Sequence, residues 1–296
     1  MKQLLLTALV AACALSAMSA DARVIHRERS LYSTILVDQR GSLICLQFSI
    51  RRDQRNQSCI DKRHPQEMVF TYTRMMMAGL LLNPDPERVL ILGLGGGTLP
   101  MALAELYPDA KIDVVEIDPA VVTVAREFFD FEPTENMQVF TQDARVYTKR
   151  AGLRGETYDL IMLDAFNGDY IPEHLMTREY LEETQKLMAE NAVVVANTFS
   201  ISQLYHHEST TYQAVFGTFF NLTSAASANR IILASNMAAP SRSVLEQRAK
   251  ALAPRLRKYS VQPEEYPRAM ITKPDWDTSA RVLTDQYSPA NLLRGR

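Results

Sequence analysis

The chain has 296 residues, of which 47% are hydrophobic and 22% are charged, values typical of a globular protein with one large core or with one large and one small domain. The formal net charge of −2 at pH 7 gives no electrostatic reason to expect nucleic acid as a partner. The sequence has no repeats and no low-complexity tract, which excludes repeat and fibrous architectures.

Residues 1–22 have the pattern of a secretory signal peptide. Lys2 precedes an apolar stretch over residues 4–18, and Ala20-Asp21-Ala22 is a suitable cleavage site. The stretch is too short for a comfortable membrane span, so we expect no transmembrane segment beyond this leader and an exported, periplasmic protein. A lipoprotein processed at Cys13 is one alternative, and a cytoplasmic protein with a misassigned start is another.

Residues 23–82 predict a small β-rich domain that ends in a hinge helix. Residues 30–50 alternate in polarity, are rich in β-branched and aromatic side chains, and turn at Gln39-Arg40-Gly41, which predicts two strands. The polar residues 51–65 predict a loop. Residues 66–82 then predict a helix that leads into the main domain.

Two cysteines, Cys45 and Cys59, remain after the leader. In an exported chain they could form one disulfide between neighbouring strands, or they could be two free buried thiols. The sequence leaves both alternatives open. Neither cysteine has a companion at a metal-ligand spacing, so we predict no metal site.

Strands and helices alternate over residues 83–296, which predicts a doubly wound, mostly parallel sheet of Rossmann-like type. In such a sheet ligands bind at the carboxyl ends of the strands. The predicted strands lie near residues 88–93, 111–116, 137–141, 158–163, 192–197 and 229–235, and the predicted helices near 99–107, 119–129, 177–190, 201–220 and 241–256.

The first four of these strands end on a glycine turn and three acids. Gly93-Leu94-Gly95-Gly96-Gly97 lets the backbone approach a ligand, although Thr98 replaces the third Gly or Ala of a dinucleotide fingerprint. Glu116 can accept hydrogen bonds from ribose hydroxyls, and Asp143 can accept one from an adenine amino group. Asp164 would then face the reacting end of the ligand. The set predicts a nucleoside pocket.

These segments resemble the spermidine synthase family of aminopropyltransferases, which share the class I S-adenosylmethionine methyltransferase fold. The resemblance covers nearly everything after residue 30. It is carried by the runs VLILGLGGGTLP, VVEIDPAVVTVAREFF, TQDARVY and YDLIMLDAFNGDYIPEHLMTREYL. Within the last run, Asp164-Ala165-Phe166 followed by Ile171-Pro172-Glu173-His174 is similar to the bacterial spermidine-synthase-like branch, as is the closing segment from Val282 to Pro289.

The resemblance implies transfer of an aminopropyl group from decarboxylated S-adenosylmethionine to a polyamine such as putrescine. It implies that Asp164 accepts a proton from the attacking amine and that Tyr72 lies beside that amine. We expect Asp169 and Asn167, in the loop after Asp164, to bind the substrate, and we expect His174 to fix this loop by a hydrogen bond. The residues implied for the nucleoside co-substrate are Gln57, Gly93, Gly95, Gly97, Glu116, Asp143 and Ala144.

Two departures from the family pattern leave alternatives open. The family has an aspartate where this chain has Gly96, and it has Asp-x-x-Asp-Pro where this chain has Asp164-Ala165-Phe166-Asn167-Gly168. One alternative is therefore a methyltransferase that uses ordinary S-adenosylmethionine on the same fold. The other is a non-catalytic exported nucleoside-binding protein. A second copy of the chain, in a homodimer, is a further candidate partner.

Overall fold

The computed structural model describes residues 23–48, 56–166 and 170–288. Within these ranges an antiparallel sheet of four strands precedes a sheet of seven strands, most of them parallel. The predicted fold class, a Rossmann-like methyltransferase fold after a β-rich N-terminal region, is confirmed. The predicted leader, with Cys13, lies outside the described residues.

The N-terminal sheet is a meander in which each strand pairs with the next. Its strands are β1 Arg23–Arg29, β2 Thr34–Arg40, β3 Leu43–Phe48 and β4 Asn56–Asp61. A turn connects β2 to β3, but it lies at Gly41-Ser42, because Gln39 and Arg40 of the predicted turn pair with β3; Gly41 has a φ of 62°. The prediction of a loop through residues 51–65 is wrong for β4. This strand is polar at both ends but buries Ser58, Cys59 and Ile60 against β3, and that packing outweighs its weak sequence signal.

Cys45 of β3 and Cys59 of β4 lie directly opposite each other and form a disulfide. The structure thus decides between the two alternatives that the sequence left open. The bond ties the edge strand β4 to its neighbour, and β4 also carries Gln57 and Ser58, which reach the cavity described below.

Two short helices, α1 Thr71–Met76 and α2 Gly79–Leu82, connect the two sheets. The prediction of one helix over residues 66–82 is therefore wrong in extent, because residues 66–70 are not helical and the chain turns between the two helices. Gly79 lies so close to β-sheet side chains that a Cβ there would come within 2.5 Å of the Val195 Cγ2 atom. Both helices bury apolar side chains in the main core.

The main sheet has the strand order β10-β11-β9-β8-β5-β6-β7. Strands β9, β8, β5, β6 and β7 are parallel, and β11 runs antiparallel to both of its neighbours. The strands are β5 Arg88–Leu92, β6 Lys111–Glu116, β7 Met137–Thr141, β8 Tyr158–Leu163, β9 Met188–Phe199, β10 Phe220–Thr223 and β11 Asn229–Ser235.

Five of the six longer helices correspond to predicted ones, two of these predictions are too long, and the helix Ala144–Leu153 was not predicted. The six are α3 Thr98–Leu106, α4 Pro119–Phe128, α5 Ala144–Leu153, α6 Arg178–Gln185, α7 Tyr205–Phe216 and α8 Arg242–Leu256, followed by the short α9 Tyr266–Ala269. The predicted helices 177–190 and 201–220 are too long, because Met188 pairs with Tyr158 in the sheet and Phe220 pairs with Leu233. Strand pairing overrides the helix propensity of these segments.

The central strands β5 and β8 are apolar on both faces over most of their length, as a sheet covered by helices on each side requires. In β5, Val89 and Ile91 pack into one core cluster, while Leu90 and Leu92 pack into the other. Leu92 lies opposite Val115 of β6 and Leu163 of β8. The carboxyl ends of these central strands are therefore level, and the residues that follow them meet at one edge of the sheet.

Candidate active site

A cavity of about 250 Å³ lies between the N-terminal sheet and the carboxyl ends of the central strands. Its wall from the main sheet includes Gly93, Gly95, Glu116, Asp143, Ala144 and Asp164. Its wall from the N-terminal part includes Tyr32, Ser33, Phe48, Gln57, Ser58 and Tyr72. The structure therefore brings together most of the site residues that the sequence predicts.

The glycine turn after β5 places backbone close to the reacting end of the cavity. Gly93 has a φ of 105°, and a Cβ there would lie 2.3 Å from the carbonyl oxygen of Asp164. A side chain at this position would therefore force the turn away from the end of β8. The N–H group of Leu94, the next residue, donates to the Glu116 Oε2 atom at 3.1 Å.

Glu116 ends β6 and is held by two backbone donors. Besides Leu94, the N–H group of Asp118 donates to its Oε1 atom at 3.0 Å. Burial raises the pKa of Glu116, and these two hydrogen bonds oppose the rise. The side chain is half-buried at the cavity wall, and each of its carboxylate oxygens can accept a further hydrogen bond. Glu116 can therefore accept hydrogen bonds from two ribose hydroxyls.

Asp143 is the N-cap residue of α5 and also contacts the loop after β8. Its Oδ1 atom caps the helix by accepting from the N–H group of Val146 at 2.9 Å, while its Oδ2 atom lies 3.0 Å from the His174 Nε2 atom. His174 therefore makes the loop-fixing hydrogen bond that the sequence predicts. Arg145 holds the same loop by donating to the His174 carbonyl oxygen at 3.3 Å, and it contacts the C-terminal segment by donating to the Asp285 carboxylate at 2.7 Å.

Asp164 follows β8 and lies at the wall of the cavity. The Nδ2 group of Asn197, from β9, donates to its Oδ1 atom at 2.8 Å. Burial raises the pKa of Asp164 to about 7, and the hydrogen bond from Asn197 opposes the rise. A carboxyl group with this pKa can accept a proton near neutral pH and release it again.

Tyr72 of α1 lines the same cavity. Burial, together with the negative charge of Asp164, raises the pKa of the Tyr72 hydroxyl well above its usual range. The hydroxyl therefore keeps its proton, and it can donate a hydrogen bond and accept one.

Three candidates from the sequence, Gly97, Asn167 and Asp169, lie elsewhere or cannot be placed. Gly97 does not line the cavity. It precedes α3 with a φ of 79°, and a Cβ there would lie 2.4 Å from the Phe131 ring, so its glycine serves packing. At Gly96 a Cβ would lie 2.7 Å from the Ser58 Oγ atom and 2.8 Å from the Phe129 ring. Asn167 and Asp169 are outside the described residues.

The sequence reasoning missed several cavity residues. Tyr32 and Ser33 come from a short connection between β1 and β2, and no motif indicates that it folds over the site. Asn197 does not line the cavity but contacts Asp164, and it had an available signal, because it is a polar residue at the end of an apolar predicted strand, the same pattern that identified Asp164.

Among the residues that the structure describes, no group of three or more His, Cys, Asp or Glu side chains could hold a metal ion. The same part of the chain contains no helix that is long and apolar enough to cross a membrane.

The fold is of the Rossmann-like methyltransferase class, and the cavity lies at the carboxyl ends of its central strands, where such folds bind ligands. Residues 69–232 match the model of the spermine/spermidine synthase domain. A polyamine aminopropyltransferase of Vibrio vulnificus is 52% identical over 274 residues, which cover 92% of this chain and 91% of that protein. The chain therefore belongs to the spermine/spermidine synthase family, and the resemblance noted in the sequence is confirmed.

Solved structures agree on the fold. A probable spermidine synthase from Corynebacterium glutamicum superimposes with a TM-score of 0.65 at 20% identity, covering 88% of this chain and 99% of that one. Human methyltransferase-like protein 13, in complex with SAH, superimposes with a TM-score of 0.59 at 24% identity, covering 76% of this chain and 100% of that one. At these low sequence identities, the two structures support the fold assignment and no statement about function.

Proposed function

We propose that this protein transfers the aminopropyl group of decarboxylated S-adenosylmethionine to an amine of the polyamine class, such as putrescine. The observation that carries the proposal is Asp164, a carboxyl group with a pKa near 7 in a cavity that also presents Glu116 and Tyr72. The sequence identity of 52% to a polyamine aminopropyltransferase, over 274 residues, supports the same reaction.

The chemistry requires alignment and a free amine. The amine nitrogen attacks the carbon next to the sulfonium, a C–N bond forms, and the C–S bond breaks with its electron pair going to sulfur. The leaving group is methylthioadenosine, a neutral thioether that needs no protonation. The nitrogen loses one proton, which Asp164 accepts, so that charge and atoms balance.

Three groups would perform the positioning. Glu116 would hold the ribose hydroxyls and thereby fix the nucleoside, and Asp143 would accept a hydrogen bond from the adenine amino group. Tyr72 has a neutral hydroxyl beside the Asp164 carboxyl and would orient the incoming amine through a hydrogen bond. The aromatic side chains of Phe48 and Phe166 line the cavity and would exclude water from the amine.

The surroundings of Gly96 favour a second candidate, a methyltransferase that uses ordinary S-adenosylmethionine. Family members with an aspartate here can attract the aminopropyl nitrogen, whereas in this chain Ser58 and Phe129 occupy the space beside Gly96. An acid at this position would require both side chains to move. The sulfonium end of the cavity therefore lacks a carboxylate that would favour decarboxylated S-adenosylmethionine over the ordinary form.

Two measurements on residues 23–296 test these candidates. Calorimetric titration with S-adenosylmethionine, its decarboxylated form and methylthioadenosine tests the pocket, and binding of none of the three would reject both enzyme functions and nucleoside binding itself. Chromatography of the products then separates the reactions. Methylthioadenosine formed from the decarboxylated substrate and putrescine indicates aminopropyl transfer, and S-adenosylhomocysteine formed from the ordinary one indicates methyl transfer.

We also propose that the mature protein works in the periplasm. The apolar leader over residues 1–22 supports export, and the Cys45–Cys59 disulfide is typical of proteins in oxidising compartments. Fractionation of cells and N-terminal sequencing test this location. A periplasmic protein that begins at Arg23 agrees with it, and a cytoplasmic protein that retains residues 1–22 contradicts it.

A further inference from the structure

A chain of hydrogen bonds leads from Asp164 through the sheet to the turn between β10 and β11. The Asn229 Nδ2 group donates to the Asn197 Oδ1 atom at 2.9 Å, and the Ser227 hydroxyl donates to the Asn229 Oδ1 atom at 3.0 Å. Together with the bond from Asn197 to Asp164, these contacts join two amides and a hydroxyl to one carboxyl group.

The direction of this chain follows from its acidic end. An ionised carboxylate only accepts hydrogen bonds, so Asn197 must present its NH₂ group to Asp164 and its oxygen to Asn229. Asn229 must then donate to that oxygen, which leaves its own oxygen for the Ser227 hydroxyl. Each amide is thereby fixed in one of its two orientations, and the orientation is the one that favours the charged form of Asp164.

The surroundings of the chain make that orientation stable. Asn197 is 4% exposed, so reversing its amide would place two oxygens face to face without water to separate them. Ser227 is fixed in turn, because its Oγ atom accepts from the Asn229 backbone N–H group at 3.1 Å. The turn is held to the end of β9 by the Ser200 hydroxyl, which donates to the Ala228 carbonyl oxygen at 2.9 Å.

We propose that Asn197, oriented by Asn229 and Ser227, is a positioning residue that holds the Asp164 carboxyl in place and favours its charged form. The inference rests on the proposed function in so far as Asp164 accepts the proton of the amine. We call Ser227, Asn229 and Asn197 the relay. It leaves the nucleoside contacts untouched, because it approaches Asp164 from β9, whereas Glu116 and Asp143 lie beyond β5 on the other side.

The substitutions in the relay do not change the other ionisable groups near Asp164. Those that line the cavity are Tyr32, Tyr72, Glu116, Asp118, Asp143 and His174, and Glu208 lies with Arg230 behind β9. A change in the titration of Asp164 on substituting an asparagine of the relay is therefore assigned to the lost hydrogen bond.

The direct test is ¹³C NMR titration of aspartate-labelled protein, with the Asp164 signal assigned by its loss in Asp164→Asn. We expect a midpoint near pH 7 in the wild type. We expect a rise of about one pH unit in Asn197→Leu, because a hydrogen bond to the charged form is lost, and a smaller rise in Asn229→Ala. Asn221→Leu is the matched control, since Asn221 is also a 4% exposed asparagine but bonds Asp275.

The kinetic counterpart is the pH profile of kcat with decarboxylated S-adenosylmethionine and putrescine. Its acidic limb should move upward with the NMR midpoint, while affinity for methylthioadenosine stays within about threefold of wild type. An unchanged Asp164 midpoint in both Asn197→Leu and Asn229→Ala overturns the relay. If Asn197→Leu does not fold, the Asp164 midpoint is measured in Asn229→Ala and Ser227→Ala, both in or beside the turn, and an unchanged midpoint in both overturns the relay.

The two claims can fail separately. A wild type without turnover rejects the proposed function, yet its NMR titration still reports whether Asn197 shifts Asp164. A wild type with turnover and an Asp164 signal that ignores all relay variants rejects the relay alone.

Discussion

Replacing Asp164 with asparagine should stabilise the protein at neutral and alkaline pH. Burial raises the pKa of this carboxyl from 3.8 to about 7 in the folded protein. Because the folded-state pKa lies above that of the unfolded chain, folding is favoured by the protonated form. That contribution is complete below about pH 4 and is lost as the pH rises through about 7.

The size of the effect follows from the shift. A difference of about three pKa units corresponds to about 4 kcal/mol of unfolding free energy above pH 7. Asp164 opens onto the cavity, and screening by water there reduces the figure to about 2 kcal/mol. Asparagine has the same shape, and its oxygen can still accept from Asn197, so the variant removes the charge without leaving a void.

Urea denaturation at pH 5 and pH 8.5 measures this effect. Trp276 is the single tryptophan, buried and stacked on Phe219 with ring centroids 5.1 Å apart, so its fluorescence reports unfolding. We expect Asp164→Asn to have a higher free energy of unfolding than the wild type, and we expect this difference to be about 1–2 kcal/mol larger at pH 8.5 than at pH 5. The exposed Asp109→Asn serves as control. An equal difference at both pH values, or a variant less stable than wild type at pH 8.5, contradicts a raised pKa of Asp164 in the folded protein.

Three further substitutions test other parts of the structure. Glu116→Gln should weaken methylthioadenosine binding about 10–100-fold in calorimetry, because it loses charged acceptors and turns an NH₂ group toward a backbone donor; unchanged affinity would reject Glu116 as the ribose ligand. Arg230→Met should cost about 3–5 kcal/mol in urea denaturation, because Glu208 stays buried without its partner at 3.1 Å; a loss below about 1 kcal/mol contradicts this. Cys45→Ser should cost about 3 kcal/mol, because the disulfide with Cys59 closes a 14-residue separation, and a variant as stable as wild type under oxidising conditions contradicts it.

The sequence predicted the parts of the fold whose signals are local. Strands β5 and β8 contain long apolar runs, Glu116 ends β6, Asp164 directly follows β8 and Asp143 lies two residues after β7, so parallel topology alone brings the three acids to one edge. Asp118 caps α4 as its position before Pro119 suggests, accepting from the Ala120 N–H group.

The remaining features depend on contacts between distant segments. Strand β4 is too polar to be distinguished from a loop until its partner β3 is known. The start of β9 at Met188 is set by pairing with Tyr158, within a segment of good helix formers. The link from Asn197 to Asn229 spans 32 residues, and no motif marks it.

The central claim is that Asp164 accepts the amine proton during aminopropyl transfer. The most direct measurement is single-turnover formation of methylthioadenosine and spermidine from decarboxylated S-adenosylmethionine and putrescine, by wild type and by Asp164→Asn. We expect equal amounts of the two products with the wild type, and a rate about 10²–10⁴-fold lower with the variant at similar nucleoside affinity. A variant that turns over at the wild-type rate, or a wild type that binds the nucleoside and forms neither product, would contradict it.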